Sequence, residues 1–474
     1  MKKMAPERNN RKQSAPELSA ELHHGLKPRH ITMIAMGGVI GAGLFVGSGA
    51  VIRSVGPAAF ITYALTGLMI VMVMRMLGEM AIANSVEGSF SRYARLALGD
   101  WAGFTVAWLY WYFWVIVVGA EAVAGAGILQ KWMPDVPLWA AALGLIVVMT
   151  ATNLYSVRSF GEFEYWFSSI KVAAIVAFLA LGVSYVFGLW PGEPMSFLNI
   201  DPAGGFLPHG PGAIFTGIAI VVFSMVGVEI ATVAAAEAKD PERAVVQATR
   251  SVVIRILIFY VGSILLLTTI LPWNSLAPNT SPFVAALDKM NIPFGGDAMN
   301  FVVLTAVLSC LNSGLYTASR MLFVLAKRGD APAWLAKTSA KGVPIRTILA
   351  STLVGYVAVI AAYLAPDTIF LFLLNSSGAI MLFVYMFITV SQLILRPRTP
   401  PERLKVKMWF HPWLSLATFA GMAAIIVMML LEQGTRSQVT LSLLSAAAII
   451  AIWFVRSKLI GVNASNVKPR NRPV

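Results

Sequence analysis

Gly37-Gly38-Val39-Ile40-Gly41-Ala42-Gly43-Leu44-Phe45 decides the fold, because it lies inside a stretch, 31–52, that carries no charge at all. A helix needs about 20 apolar residues to cross the hydrocarbon core of a bilayer, and this stretch is long enough. Yet four of the seven residues from 37 to 43 are glycine, each costing a helix about 1 kcal/mol relative to alanine. Two readings compete. In one, small residues let helices pack closely, since Gly37 and Gly41 form a G-x-x-x-G. In the other, the helix breaks at mid-membrane depth and exposes backbone N–H groups at the start of a second half-helix. The dipole is positive there, which suits a carboxylate. The stretch by itself leaves both readings open.

Outward from it, comparable runs occupy 54–74, 101–120, 136–157, 165–192 and 202–236, then 256–274, 298–319, 347–366, 368–395, 408–431 and 437–455. That makes twelve spans. The bulk numbers agree: 58% of the 474 residues are hydrophobic, 12% are charged and mean hydropathy is +0.74, whereas a soluble domain carries about twice that charged fraction. The expected organisation is a basic, disordered cytoplasmic tail over 1–27, one transmembrane domain over 28–460 and a second cytoplasmic tail over 461–474. No cleavable signal peptide is read at the start.

An even number of spans puts both termini on one side. Of the 36 lysines and arginines, Arg53, Lys131, Lys289 and Arg436 lie on the far side, Arg75 and Lys171 lie within spans, and the remaining 30 share the side of the termini. The positive-inside rule makes that side cytoplasmic. The formal charge of +14 then reflects orientation and contact with anionic membrane lipids, and nucleic acid is excluded as a partner. One cysteine, Cys310, forbids an intramolecular disulfide. Of the five histidines only His411 touches an apolar run, so no metal site is expected. The segment 88–99 mixes Phe90, Tyr93, Leu96 and Leu98 with Arg92 and Arg95. It fits either a short amphipathic helix at the membrane face or an ordinary loop.

Span 6 carries Phe223-Ser224-Met225-Val226-Gly227-Val228-Glu229 in an otherwise apolar stretch. Glu229 in hydrocarbon costs at least about 2.5–3.5 kcal/mol unless it faces protein or water. Spans 1 and 6 open two five-helix halves, and interruptions at equivalent places in two halves point to an inverted-repeat transporter with a central site. The other intramembrane ionisable residues are Arg75, Glu79, Glu121 and Lys171. Arg75 and Glu79, at i and i+4, read as an interfacial pair. Glu121 has either a pocket-facing or a helix-pairing role. Lys171 sits two turns past Glu164 in span 5, too deep for easy snorkelling. Because desolvation disfavours its charged form, it is a candidate proton carrier. In span 8, Ser309, Asn312, Ser313 and Tyr316 recur at i+3, i+4 and i+7 and so share one face. They serve either a site or interhelical hydrogen bonding.

These motifs together resemble the amino acid–polyamine–organocation superfamily, in its bacterial amino acid transporter branch, over roughly residues 25–455. The resemblance rests on 38–45, on Met74-Arg75-Met76-Leu77-Gly78-Glu79-Met80, and on Gly161-Glu162-Phe163-Glu164-Tyr165-Trp166 leading to Lys171. It also rests on 223–229 continuing to Ala234-Ala235-Ala236-Glu237, and on 312–322. Ser309-Cys310-Leu311-Asn312-Ser313, Arg328-Gly329-Asp330-Ala331-Pro332 and Ser376-Ser377-Gly378-Ala379-Ile380 look like the subgroup that carries 4-aminobutyrate (GABA). Ala42 fits that subgroup and Gly43 departs from the serine expected in it.

The resemblance implies a LeuT-like fold, with two inverted five-helix repeats plus two peripheral helices. It implies that Ile40, Gly41, Ala42 and Gly43 bind a substrate carboxylate, and that Phe223, Ser224 and Gly227 receive the amine, with Phe223 closing over it. Lys171 matches a lysine standing where sodium-driven relatives hold an ion, and Glu229 is grouped with it in proton coupling. Glu121, Ser309, Asn312, Ser313 and Ser376 are expected to line or support the pocket.

The expected function is proton-coupled import of GABA or a related small amino acid across the bacterial cytoplasmic membrane. The proton is the coupling ion, no cofactor is needed, and nothing in the chain sets an oligomeric state. An α-amino acid permease or an exchanger of the same fold is the nearest alternative. An intramembrane enzyme would need a serine–histidine pair, paired aspartates or an H-E-x-x-H helix, and none is visible. A passive channel fits poorly with polar residues gathered at one depth, and no Walker motif is present.

Overall fold

A computed structural model describes residues 40–83, 90–155, 157–189, 199, 205–230, 232, 241–277, 280–339 and 342–460. The tails expected over 1–27 and 461–474, residues 37–39 of the first glycine motif and residues 234–237 of the span 6 motif lie outside them. Among the described residues the regular structure is helical. Among the described residues nine helices are long and apolar enough to cross a membrane, and three shorter apolar helices complete the twelve.

In chain order these are α1 (Ala42–Val55), α2 (Ala59–Ala83), α3 (Asp100–Leu129), α4 (Leu138–Tyr155), α5 (Val157–Val186) and α6 (Ala213–Met225). The second half continues with α7 (Arg243–Ile270), α8 (Gly295–Lys327), α9 (Ile345–Leu364), α10 (Ile369–Leu395), α11 (Trp413–Leu431) and α12 (Gln433–Ile460). The fold is the all-α, LeuT-like one. α1–α5 and α6–α10 are its two five-helix repeats, each opening on a short apolar helix, and α11 and α12 are peripheral.

Burial follows sequence. α3 is apolar around its whole circumference, as a helix surrounded by others must be, and 83% of its most apolar window is buried in protein. For α12 the share is 11%, so its apolar surface faces outward, where lipid satisfies it. Helices are obligatory here because every backbone group in hydrocarbon must be paired within the chain.

Three local expectations are refined. Within the segment 88–99 an amphipathic helix, Phe90–Leu98, buries Phe90, Ser91, Tyr93 and Ala94; Phe90 meets Tyr110 of α3 edge-on with ring centroids 4.7 Å apart. The helix of α7 begins at Pro241, well before residue 256, because helix formation tolerates the arginines that a hydropathy reading assigns to a loop. It contains a π-helical turn, Ile256–Gly262. The third refinement is a correction. Glu79 does not take Arg75 as its ion-pair partner: it accepts from Arg396 (3.0 Å), Gln392 (2.9 Å) and the Met408 N–H. Arg75 turns to the Lys407 carbonyl (3.0 Å) and lies over the Trp409 ring. The i, i+4 spacing permitted a pair, but a buried carboxylate gains more from three donors on neighbouring segments than from one exposed helical neighbour.

Candidate functional site

α1 starts in the middle of the protein. Gly41 is its N-cap, and the first helical bonds run from Phe45 N–H to the Gly41 carbonyl (3.2 Å) and from Val46 N–H to the Ala42 carbonyl (2.8 Å). A helix start leaves its first N–H groups without helical partners. The Ala42 N–H donates to both carboxylate oxygens of Glu121, at 3.1 and 3.0 Å. Glu121 projects from α3 and is 1% exposed. Close approach explains the glycines: a Cβ on Gly41 would stand 2.5 Å from Glu121 Oε1 and 2.7 Å from the Cys310 Cβ. One on Gly43 would stand 2.7 Å from the Ser224 backbone and 2.8 Å from the Phe223 ring.

On the other side of the break the Ile40 carbonyl accepts from Lys171 Nζ at 2.9 Å. Lys171 Nζ also donates to Ser309 Oγ (2.9 Å), and Ser309 donates to Glu164 Oε2 (2.9 Å). All three side chains are fully buried. The ammonium therefore ties α1, α5 and α8 together, with Glu164 as a countercharge one hydroxyl away. Asn312 and Ser313 border Glu164, and the Asn312 carbonyl oxygen accepts from Asn153 of α4 at 2.7 Å. The α8 stripe is thus divided: Ser309 belongs to the lysine, Asn312 to helix pairing, and Tyr316 to Arg320, which stacks on its ring.

α6 breaks after Met225. Val226 is extended (ψ 151) and Gly227 has φ 101, a left-handed conformation open to glycine and costly for other residues. The helix resumes with the Ile230 N–H on the Gly227 carbonyl (3.2 Å). Glu229 caps this break: the Gly227 N–H donates to its two oxygens at 3.0 and 2.9 Å, and Tyr110 and Tyr385 donate at 3.0 and 3.4 Å. Tyr260, in the π-helical turn of α7, donates to the Ser224 carbonyl at 2.7 Å.

The two breaks share a central cavity of about 10 Å³, room for about one water. It is lined by Gly43, Glu121, Phe223, Ser224 and Cys310, with an α3 wall of Phe113, Trp114 and Val117. Of the residues singled out from the sequence, Gly43, Phe223, Ser224 and Glu121 face it, and Ile40, Gly41 and Ala42 form the α1 break beside it. Lys171 and Ser309 stand behind that break. Glu229 and Gly227 belong to the α6 cap and are not among the partners of Lys171. Ser376 is buried in α10 and its carbonyl accepts from Ser442 of α12; it does not line the cavity.

Some residues were not read from the sequence. Glu164 lies seven residues, two helical turns, before Lys171 on the same face, and that spacing is its signal. Tyr110, Phe113, Trp114 and Val117 share one face of α3 with the already singled-out Glu121, at i, i+3, i+4, i+7 and i+11, a pattern that leads straight to the cavity. Tyr260 and Tyr385 left no comparable signal, since each comes from a helix far away in the chain.

A helix that starts on a glycine at the protein centre and a second helix broken at Gly227, with their free backbone ends meeting at a central cavity in a multi-pass membrane protein, define a transporter of the broken-helix class. The chain belongs to the amino acid permease family, whose profile matches residues 30–468. It is 52% identical to a gamma-aminobutyric acid permease of Bacillus subtilis over 93% of this chain and 95% of that one. It is 44% identical to the gamma-aminobutyric acid permease of Escherichia coli, covering 91% and 93% of the two chains. An aromatic amino acid transport protein of Corynebacterium glutamicum is 40% identical, covering 93% and 95%.

Proposed function

We propose that this chain is a proton-coupled symporter that carries 4-aminobutyrate, or a closely related small amino acid, across a bacterial cytoplasmic membrane, with its lysine- and arginine-rich side inward. The observation that carries the reading is the pair of open helix ends, the start of α1 at Gly41 and the break in α6 after Met225. The N–H groups after Gly41 suit the substrate carboxylate through the helix dipole. The carbonyls ending the first half of α6, at Phe223 and Ser224, suit an ammonium, and Gly227 leaves the chain open there.

Glu121 already occupies the Ala42 N–H, and two carboxylates cannot share one donor in a dry cavity. Substrate must therefore turn Glu121 aside, and Phe223 must move with it, since about 10 Å³ admits no amino acid. Phe223 then covers the bound molecule. Lys171 acts as the resident cation of the α1–α5–α8 junction. Protonated, it holds the Ile40 carbonyl and Ser309; neutral, it donates more weakly and loosens the junction. Substrate and proton thus favour the same state and are linked. The choice of GABA is supported by two relatives that bear that name, at 44–52% identity. The aromatic wall of Phe113, Trp114 and Phe223 crowds a larger side chain.

The test is uptake of labelled GABA by the purified chain in vesicles, under an inward pH gradient without sodium, with unlabelled competitors. GABA is expected to compete better than proline, phenylalanine or alanine. Uptake that needs sodium and ignores a protonophore would sink the coupling. Strong competition by an aromatic α-amino acid, with none by GABA, would sink the substrate. Exchange without net transport would appear as counterflow indifferent to the pH gradient.

A further inference from the structure

A second cavity lies away from the transport site, on the outer side of α5 and α7. It measures about 310 Å³ and is lined by Val172 of α5 and by Gln247, Arg250, Ser251, Ile254, Arg255 and Phe259 of α7. The α7 residues fall at i, i+3, i+4, i+7, i+8 and i+12, one stripe of the helix, and the stripe is graded. Gln247, Arg250 and Ser251 are exposed at the end nearer the start of α7, on the basic side of the molecule; Ile254, the buried Arg255 and Phe259 follow, with Val172 of α5 completing the lining. Nine residues separate Arg250 from Phe259, or about 14 Å along the helix. Cationic and polar groups run from Gln247 down to the largely buried Arg255, about 7 Å along the helix from Arg250, and Ile254, Phe259 and Val172 supply the apolar part, the profile of a phospholipid from its phosphate and glycerol esters to the start of an acyl chain. No carboxylate is among the described lining residues, so the charge to be complemented is positive.

We propose that this groove is a specific site for one anionic glycerophospholipid of the leaflet on the basic side. Its phosphate sits on Arg250, with Gln247 and Ser251 as further donors, and an acyl chain lies along Ile254, Phe259 and Val172. Basic pockets between membrane helices take such headgroups, and the phosphate supplies the counter-anion that a guanidinium at the edge of hydrocarbon requires. The site backs onto the transport machinery. Val172 directly follows Lys171. The groove wall runs into the π-helical turn Ile256–Gly262, whose Tyr260 holds the Ser224 carbonyl at the α6 break. A lipid there packs behind both the lysine junction and the α6 break.

The test reads lipid retention directly, without transport. The full chain is extracted gently from vesicles of phosphatidylcholine containing a minority of phosphatidylglycerol, and protein–lipid complexes are weighed by native mass spectrometry. The expected result is one retained phosphatidylglycerol per chain in preference to phosphatidylcholine. Arg250→Gln should lower retention about fivefold, the weight of one basic residue at an anionic surface. Val172→Trp should lower it by filling the apolar end with Arg250 still in place. Lys458→Gln, on the exposed end of α12, should change nothing. Retention undiminished by Arg250→Gln, an equal loss with Lys458→Gln, displacement by inorganic phosphate alone, or a dimer of the chain in place of the lipid complex would each overturn the proposal.

Discussion

The start of α1 at Gly41 and the break in α6 are chemically alike and are held in opposite ways. Each exposes one N–H that donates to both oxygens of a glutamate, Ala42 to Glu121 and Gly227 to Glu229. Glu229 lies two residues from its amide, on the same chain segment, and two tyrosines fix its oxygens. Glu121 reaches its amide from another helix, 79 residues along the chain, and it borders the cavity. A local cap moves with the backbone it caps, whereas a cap from a neighbouring helix can be replaced by a ligand without refolding either helix. The α1 break is therefore the exchangeable one and the α6 break the fixed one. The lysine adds to the contrast, because Lys171 binds the last carbonyl before the α1 break and no lysine serves α6 in that way among the described residues.

Removing the lysine tests the α1 side hardest. Lys171→Ala leaves Glu164 buried without its countercharge, a change costing about 3–5 kcal/mol, and should abolish proton-driven accumulation. Lys171→Arg, which keeps the charge but cannot release a proton in this range, should also lose accumulation while keeping more of the folded protein. The Lys171→Met, Glu164→Gln pair should recover thermal stability but not coupling. Accumulation restored in the pair would show that the lysine is structural.

Gly41→Val comes next. Its new side chain would collide with Glu121 and Cys310, so uptake should fall to background with membrane insertion intact. Normal transport would mean that the glycines serve packing alone. Phe223→Ala should lose most accumulation, with Phe223→Trp and Phe223→Tyr retaining part, as measured by labelled GABA uptake. Equal uptake by all three would reduce Phe223 to a packing residue.

The smallest effect is the most direct comparison of the two caps. Glu121→Gln offers Ala42 a neutral acceptor, weaker than a carboxylate, so substrate displaces it more easily and KM should fall about threefold or more. Glu229→Gln keeps an oxygen for Gly227 and should leave KM nearly unchanged. If Glu229→Gln instead removes the pH dependence of uptake, the fixed cap carries the proton as well, as its grouping with Lys171 from the sequence resemblance would have it.

Much of this protein is written locally in its sequence. Twelve apolar runs, an even span count and a one-sided distribution of lysine and arginine suffice for a multi-pass all-α architecture, because in hydrocarbon a helix satisfies its own backbone and each span is decided within about 20 residues. The positions of both breaks are legible for the same reason: glycine clusters and a glutamate at mid-span violate the local rule that makes a span. Glu164 was legible too, at i and i+7 with Lys171. What the sequence could not assign was which buried group meets which. Lys171 finds Ile40 across 131 residues, Glu79 leaves its i+4 neighbour for Arg396 across 317, and Ser376 packs toward α12 while Cys310 takes a place in the cavity. Those choices depend on how helices rotate and cross when they pack. A buried charge settles on whichever donors that packing brings within about 3 Å, and spacing along one helix says nothing about the distance to another.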